Sequence, residues 1–297
     1  MTNPPSHRGF VTLDREELLG ALIRMALAED VGSGDWTSTW TIPEAARGEA
    51  SIVAKQKVVV AGMAVASRVF HAVDPDLDIR VRRGDGNSAD KGQELVEIRG
   101  SLRSILTAER TALNFLGHLS GIATLTRAFV DAVEGTRARI VDTRKTTPGW
   151  RYLEKDAVRA GGGMNHRMGL FDMVLIKDNH IAACGGITAA LQAVERNNRP
   201  ELPVELEVSS LQELGEALRN PPDRILLDNM SIREMTEAVQ RVSNLGSSRP
   251  ELEASGNVRL DTVRAIAQTG VDLISVGALT HSAPVADLSL QVRGQGT

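Results

Sequence analysis

The residues able to do chemistry in this sequence gather where apolar runs end. Ile140-Val141 leads into Asp142-Thr143-Arg144-Lys145, and Val174-Leu175-Ile176 leads into Lys177-Asp178-Asn179-His180. Within residues 204–208, Glu205 and Glu207 share one face by the two-residue period of a strand. Leu226-Leu227 ends in Asp228-Asn229, Leu252 is followed by Ser255-Gly256, and Ile274-Ser275-Val276 by Gly277. One charged residue after a strand is ordinary turn chemistry; the same placement at run after run asks for a site. Arg144, Lys145, Lys177 and the His166-Arg167 pair make a cationic cluster suited to a small polycarboxylate, because a guanidinium takes a carboxylate in a two-pronged grip. Glu207 and Asp228 either pair with those cations or hold a hard divalent ion, Mg²⁺, with substrate oxygens and water. Gly256 and Gly277, each just past an apolar run, suit phosphate binding through backbone N–H groups. Together these groups ask for a strongly anionic, partly phosphorylated and metal-dependent substrate.

The elements that must position them follow from periodicity. Short β-branched runs at residues 138–141, 173–176, 204–208, 224–227, 251–254 and 272–276 alternate with helix-period segments, clearest at 188–196, 211–218, 232–242 and 258–268. That alternation implies βαβ units with parallel strands. In a barrel of such units all C-terminal strand ends open on one mouth, where barrel enzymes keep their active sites. The first part of the chain mixes helices and strands without regular alternation: a helix from Asp14, a turn at 29–35, a strand at 50–61, a short helix through Val65 and Phe70, and strands near 77–81 and 94–98. A long helical pattern from Leu102 to about Glu134 carries an expected break at Gly117–Gly121. The expected domains are a lead-in over residues 1–13, an N-terminal α/β sandwich over 14–117, and a barrel over 118–297 whose tail packs back on the first domain.

Composition narrows the function classes. With 297 residues, 42% hydrophobic and 24% charged, the chain can bury a sizeable core. Aromatic residues at 3% and a net charge of -4 argue against a nucleic-acid binder, which needs stacking platforms or a positive field. The opening MTNPPSHRGF lacks a secretory pattern, and no run approaches the length of a membrane span, so a soluble cytoplasmic protein is expected. A lone cysteine, Cys184, has no intrachain partner for a disulfide.

Beyond these separate signals, the segment 142–149, Asp-Thr-Arg-Lys-Thr-Thr-Pro-Gly, resembles the quinolinate phosphoribosyltransferase family. Ala28-Glu29-Asp30 with Gly34-Asp35, the stretch 109–116 followed by Ser120-Gly121-Ile122-Ala123-Thr124, and Gly161-Gly162-Gly163 with Asn165-His166-Arg167 continue the likeness in order. So do residues 175–180, 205–208, 227–229, 253–256 and 275–281, and the resemblance covers residues 14 to 290. It departs at Asn257, where the family usually has a second glycine; asparagine tolerates the left-handed backbone region better than most residues.

The resemblance implies an α/β fold: an N-terminal α/β sandwich domain and a C-terminal incomplete (β/α) barrel of about six to seven strands. It implies transfer of a phosphoribosyl group from 5-phosphoribosyl 1-pyrophosphate to quinolinate with loss of CO₂, in NAD biosynthesis, with Mg²⁺ and no organic cofactor. It further implies a homodimer in which Arg110 is lent to the partner's site, although an arginine on an apolar helix also suits a snorkelling surface position. Quinolinate would then meet Arg110, Thr143, Arg144, His166, Arg167 and Lys177. Phosphoribosyl pyrophosphate would meet Lys145, Glu207, Asp228, Ser255, Gly256, Asn257, Gly277, Ala278 and His281, with the metal on Glu207 and Asp228 and catalysis resting on Lys145, Lys177, Glu207 and Asp228. Thr280-His281-Ser282 suits a helix cap or surface turn equally well. The rival readings are a class I aldolase-like enzyme with a Schiff base on Lys177, a non-catalytic relative of the molybdenum-transport type, and a nicotinate enzyme without decarboxylation.

Overall fold

A computed structural model describes residues 14–198, 201–246 and 249–293, so the expected lead-in lies outside the described residues. Helix α1 (Arg15–Val31) begins at a reciprocal capping box between Asp14 and Glu17, and α2 (Trp36–Thr41) begins where the Asp35 side chain accepts the Ser38 N–H. Strands β1 (Arg47–Ala54) and β2 (Val58–Val59), helix α3 (Met63–Val73), and strands β3 (Asp78–Val81), β4 (Ser88–Ala89) and β5 (Glu94–Ser101) follow. The larger sheet is antiparallel in the order β12-β1-β5-β3, where β12 (Leu288–Arg293) is the last strand of the chain, returned to pair along β1. Its core, with Ile52, Leu95 and Ile98 fully buried, is covered by α4 (Leu102–Ala132), against which α3 packs.

Helix α4 is one uninterrupted element of 31 residues, contrary to the break expected at Gly117–Gly121. The two glycines stand one turn apart on the face crossed by the segment before β12. A Cβ at Gly121 would lie 2.1 Å from the Pro284 carbonyl oxygen, and one at Gly117 would lie 3.0 Å from Val285 Cγ1. The Ala286 N–H donates to the Gly117 carbonyl at 2.9 Å. Glycine here permits close approach of two backbones rather than ending a helix, and the helix survives because its ladder tolerates the entropic cost.

The remaining elements are β6 (Arg139–Val141), α5 (Arg151–Ala160), β7 (Val174–Ile176), α6 (Asp178–Cys184), α7 (Ile187–Asn197), β8 (Val204–Val208), α8 (Leu211–Ala217), β9 (Arg224–Asp228), α9 (Ile232–Ser243), β10 (Glu251–Ser255), α10 (Val263–Gln268), β11 (Leu273–Ser275) and α11 (Ala278–His281). The six strands pair in parallel in the order β6-β11-β10-β9-β8-β7. This is the expected incomplete barrel, with β6 and β7 at its two edges and no ladder between them. In that seam Met164 makes a single parallel bridge to Val141, its N–H donating to the Ile140 carbonyl at 2.9 Å. Not all the buried residues of these strands are aliphatic: Glu205 and Glu253 are fully buried. Among the described residues no helix is long and apolar enough to cross a membrane.

Gly121→Ala should lower stability by roughly 1–3 kcal/mol, because the methyl group meets backbone that cannot move aside. The control is Gly215→Ala in α8, where a Cβ meets nothing within 4 Å, and which should raise stability by about 0.4–1 kcal/mol. Urea melts of both variants check this, and equal midpoints would contradict the close-approach account.

Candidate active site

The strand ends open on a cavity of about 640 Å³. Thr143, Arg144 and Lys145 reach it after β6, His166 and Arg167 from the seam, and Lys177 after β7. Glu207 comes from β8 and Asp228 from β9; Ser255 ends β10 with Gly256 and Asn257 after it, and Gly277, Ala278 and His281 follow β11. All site residues singled out in the sequence line it except Arg110, which lies exposed on α4 outside the lining. Leu175, Leu226, Asn229, Glu253, Val258, Arg259 and Ser275 line it as well.

The cationic wall is under-neutralised. Arg144 and Arg167 each bury an Nε that has no hydrogen-bond partner, while Arg167 Nη1 donates to the Met173 carbonyl at 3.2 Å. Burial, and then the like charge of Arg144, hold the Arg167 guanidinium below its usual range. Two guanidiniums that repel each other and keep idle donors make a receptor for an anion with more than one carboxylate.

The acidic side is partly satisfied from within. Glu207 Oε2 accepts from Lys177 Nζ at 2.6 Å, so this carboxylate is paired with a neighbouring cation. Asp228 Oδ2 accepts only a neutral amide, Asn229 Nδ2 at 2.9 Å. These two carboxylates on adjacent strands fit a Mg²⁺ that arrives with a polyphosphate, an ion that takes one or two protein carboxylates and completes its shell with phosphate oxygens and water.

The turn after β10 is shaped for an anion. Gly256 has φ 99 and Asn257 φ 49, so asparagine does adopt the left-handed conformation in the position where a glycine was expected. Asn229 also lies there, at φ 52, and a Cβ on Gly256 would come within 2.2 Å of its Oδ1. Asn257 Nδ2 donates to that same Oδ1 at 3.1 Å, and the Asn229 N–H to the Ser255 carbonyl at 2.9 Å, tying the ends of β9 and β10 together. On the other side a Cβ on Gly277 would sit 3.2 Å from both Lys145 Cδ and His281 Nε2. Thr280 Oγ1 donates to the Lys145 carbonyl at 2.7 Å, fixing that loop against α11. His281 lines the cavity, and its Nδ1 lies 2.6 Å from Ser282 Oγ.

His166 occupies a different environment from a free carboxylate ligand. Its Nδ1 accepts the Arg167 N–H at 2.7 Å, and its Nε2 lies 2.9 Å from Glu205 Oε2 and 3.5 Å from Glu253 Oε2. Nδ1 is taken, while Nε2 meets Glu205 in close contact without an aligned hydrogen bond, both Glu205 oxygens lacking a partner. Among the described residues these three are the one group with the spacing of metal ligands. Because Nδ1 is an acceptor, the ring proton sits on Nε2, on the side of the two carboxylates, so that nitrogen is not a free metal ligand. Glu205 was visible in the sequence through its shared face with Glu207. Glu253 sits between Leu252 and Ala254, and only strand register sets it opposite the others.

Burial, then the charge of Glu205, pushes the Glu253 carboxyl up to about 7, with His166 opposing. Between its ordinary 4.5 and about 7 the folded protein therefore binds a proton there that the unfolded chain does not, so this group's contribution to stability falls as pH rises through that window. Glu253→Gln should flatten the dependence of thermal midpoint on pH across it; a variant profile parallel to the wild type would contradict the assignment.

Comparison with known proteins follows the same division of the chain. Residues 35–120 match the family model "Quinolinate phosphoribosyl transferase, N-terminal domain", and residues 122–291 match that of the C-terminal domain. The chain is 47% identical over 273 residues to a nicotinate-nucleotide pyrophosphorylase [carboxylating] of Mycobacterium leprae, covering 91% of this chain and 95% of the relative. It is 46% identical over 266 residues to a probable nicotinate-nucleotide pyrophosphorylase [carboxylating] of Synechocystis sp., covering 90% of each. The solved structure of the nicotinate-nucleotide pyrophosphorylase from Francisella tularensis superposes with a TM-score of 0.88 at 39% identity, over 95% of this chain and 98% of that one.

Proposed function

The chain belongs to the quinolinate phosphoribosyltransferase family, and from that premise we propose how its residues do the work. The enzyme transfers the phosphoribosyl group of 5-phosphoribosyl 1-pyrophosphate to quinolinate and releases CO₂, giving nicotinate mononucleotide and pyrophosphate for NAD biosynthesis. The observation that carries this reading is the pair Arg144 and Arg167, held together despite like charge, each with an idle buried Nε. Quinolinate bears two adjacent carboxylates, and a single carboxylate, as in nicotinate, would leave one guanidinium unmatched.

In this assignment Arg144 and Arg167, with Thr143 and Lys177 beside them, fix the dicarboxylate, and His166 walls the ring while its Nδ1 anchors the Arg167 backbone. The nucleophile is a pyridine nitrogen whose lone pair is already free, so the site supplies position rather than deprotonation. Ser255, Gly256 and Asn257, with Gly277 and Ala278 opposite, seat the 5′-phosphate on backbone N–H groups. Lys145 and His281, in contact range of Gly277, face the departing pyrophosphate. Glu207 and Asp228 would hold Mg²⁺, which neutralises charge growing on the leaving group. After transfer, the ring nitrogen is positive, and its charge stabilises the in-plane electron pair left at C2 as CO₂ departs, which then takes a proton from water to give nicotinate mononucleotide. Lys177 is engaged by Glu207 rather than presented to a carbonyl, which disfavours the Schiff-base reading.

The active unit we propose is a homodimer whose partner lends Arg110. Thr111 Oγ1 donates to Asp30 at 3.4 Å and Thr107 Oγ1 to Asp35 at 3.0 Å, which brings the end of α1 and the start of α2 against the Arg110 stretch of α4. Met25, Trp36 and Trp40 are exposed on those same helices, an apolar surface of the kind subunits cover. The cytoplasm is the compartment we assign, and the exposed thiol of Cys184 fits a reducing milieu.

Incubation with Mg²⁺ and phosphoribosyl pyrophosphate should yield nicotinate mononucleotide and CO₂ in equal amounts from quinolinate, and little product from nicotinate. No product from quinolinate, in folded protein, would overturn the reading. Arg110→Ala and Lys177→Ala should each be inactive, and a reassociated equimolar mixture should recover about a quarter of the wild-type activity, since half the dimers then carry one intact site. A mixture as inactive as its parents would refute the shared site.

A further inference from the structure

Arg144 follows β6 and Arg167 belongs to the segment in the barrel seam, which meets β6 only at the Met164 bridge, so no strand ladder sets the separation of the two arginines. What spans the gap instead is a buried polar network. Lys155 on α5 donates through Nζ to Asp142 Oδ1 and, at 2.9 Å, to the His166 carbonyl. The same Asp142 oxygen accepts the His166 N–H at 2.8 Å. The Asn165 amide faces two acceptors, Asp142 Oδ2 at 2.8 Å and the Lys155 carbonyl at 2.9 Å, which assigns its nitrogen rather than its oxygen to that side as donor to both. Asp142 stands two residues before Arg144, and His166 directly before Arg167.

We infer that Asp142, Lys155 and Asn165 form a positioning clasp that sets the spacing of Arg144 and Arg167, and through it the affinity for quinolinate; this rests on reading those arginines as the dicarboxylate clamp. Stability alone does not account for the pair. Both side chains have zero exposure, and removing a lysine and an aspartate from water offsets most of their attraction. Burial accordingly pushes the Asp142 carboxyl up and the Lys155 ammonium down, each opposed by the other. A leucine–methionine pair would fill this space, but it would leave the His166 N–H and carbonyl unbonded and the backbone ahead of Arg167 free to shift. Arg151, one turn earlier on the same face of α5, straps the loops higher up: its Nε donates to Thr146 Oγ1 at 2.9 Å and its Nη1 to the Met168 carbonyl at 3.1 Å.

The test uses the full-length enzyme with two variants, Asn165→Ala and the double change Asp142→Asn with Lys155→Met, the second keeping volume while removing both charges. For each, steady-state constants for quinolinate and for phosphoribosyl pyrophosphate are measured separately, with the thermal midpoint. Asn165→Ala should raise KM for quinolinate on the order of tenfold, with KM for phosphoribosyl pyrophosphate and the midpoint unchanged. The double variant should lose on the order of a hundredfold in kcat/KM for quinolinate while its midpoint stays near wild type. Should the double variant not fold, Asn165→Ala decides alone, since that residue is at the surface. An unchanged KM for quinolinate in Asn165→Ala, or both KM values rising together as the midpoint falls, would overturn the clasp. Wild-type enzyme that turns over quinolinate while the variants match it refutes the clasp alone; wild-type enzyme without that activity refutes the functional reading.

Discussion

The missing ladder between β6 and β7 is the constraint on which the rest of this active site depends. A closed barrel fixes its mouth by hydrogen bonds running around the whole circumference. Here the ring is interrupted, and the interruption falls beside Arg144 and Arg167, the proposed carboxylate clamp. The single bridge of Met164 to Val141 cannot orient the residues beyond it. Side chains from α5 take over: Arg151, Glu154 and Lys155 lie on one face of that helix, Arg151 and Lys155 tying the loop after β6 to the 166–168 segment, and Glu154 accepting the Thr147 N–H of that loop at 3.1 Å and pairing with His118 at 2.9 Å. The seam thus exchanges a regular backbone ladder for charged side chains with longer reach.

That exchange explains why so much charge lies in the interior. Beneath the mouth, Glu205 and Glu253 flank His166, and Arg224 reaches Glu253 at 3.4 Å and Glu251 at 3.0 Å. An aliphatic interior would be simpler to stabilise, because desolvated carboxylates cost free energy that pairing only partly returns. The polar layers do something aliphatic layers cannot. They hold His166 by its ring from below while Asp142 and Lys155 hold it by its backbone from the side, so the residue before Arg167 is fixed in two directions.

The phosphate side of the mouth is built by the opposite means, small residues and backbone. Four neighbouring strand ends approach so closely that Gly256 has no room for a side chain beside Asn229, and Gly277 has little beside Lys145. Asn257 and Asn229 both accept left-handed backbone and bond each other, which lets an asparagine stand where a second glycine was expected. One half of the cavity is thus lined by long cationic side chains, the other by small residues at tight turns. A dicarboxylate joined to a phosphorylated sugar needs both.

Most of what is local in this protein is legible in its sequence. The six parallel strands appear as β-branched runs within a residue or two of their bounds, because burial on both faces imposes composition on a strand wherever it lies. The residues lining the cavity are legible too, since they come directly after those runs and all strand ends share one mouth. Gly117 and Gly121 show the limit: the letters suggest a break, and only the approach of Pro284–Ala286 reveals them as a contact within a straight helix. Glu253 and Lys155 show it more strongly. Each sits unremarked in its own segment, and its partners, Glu205 and His166 for one, Asp142 and His166 for the other, are brought to it by register and by the open seam. Periodicity records which face of an element is buried; which charges then meet there depends on how distant segments pack, and the tertiary structure alone decides that.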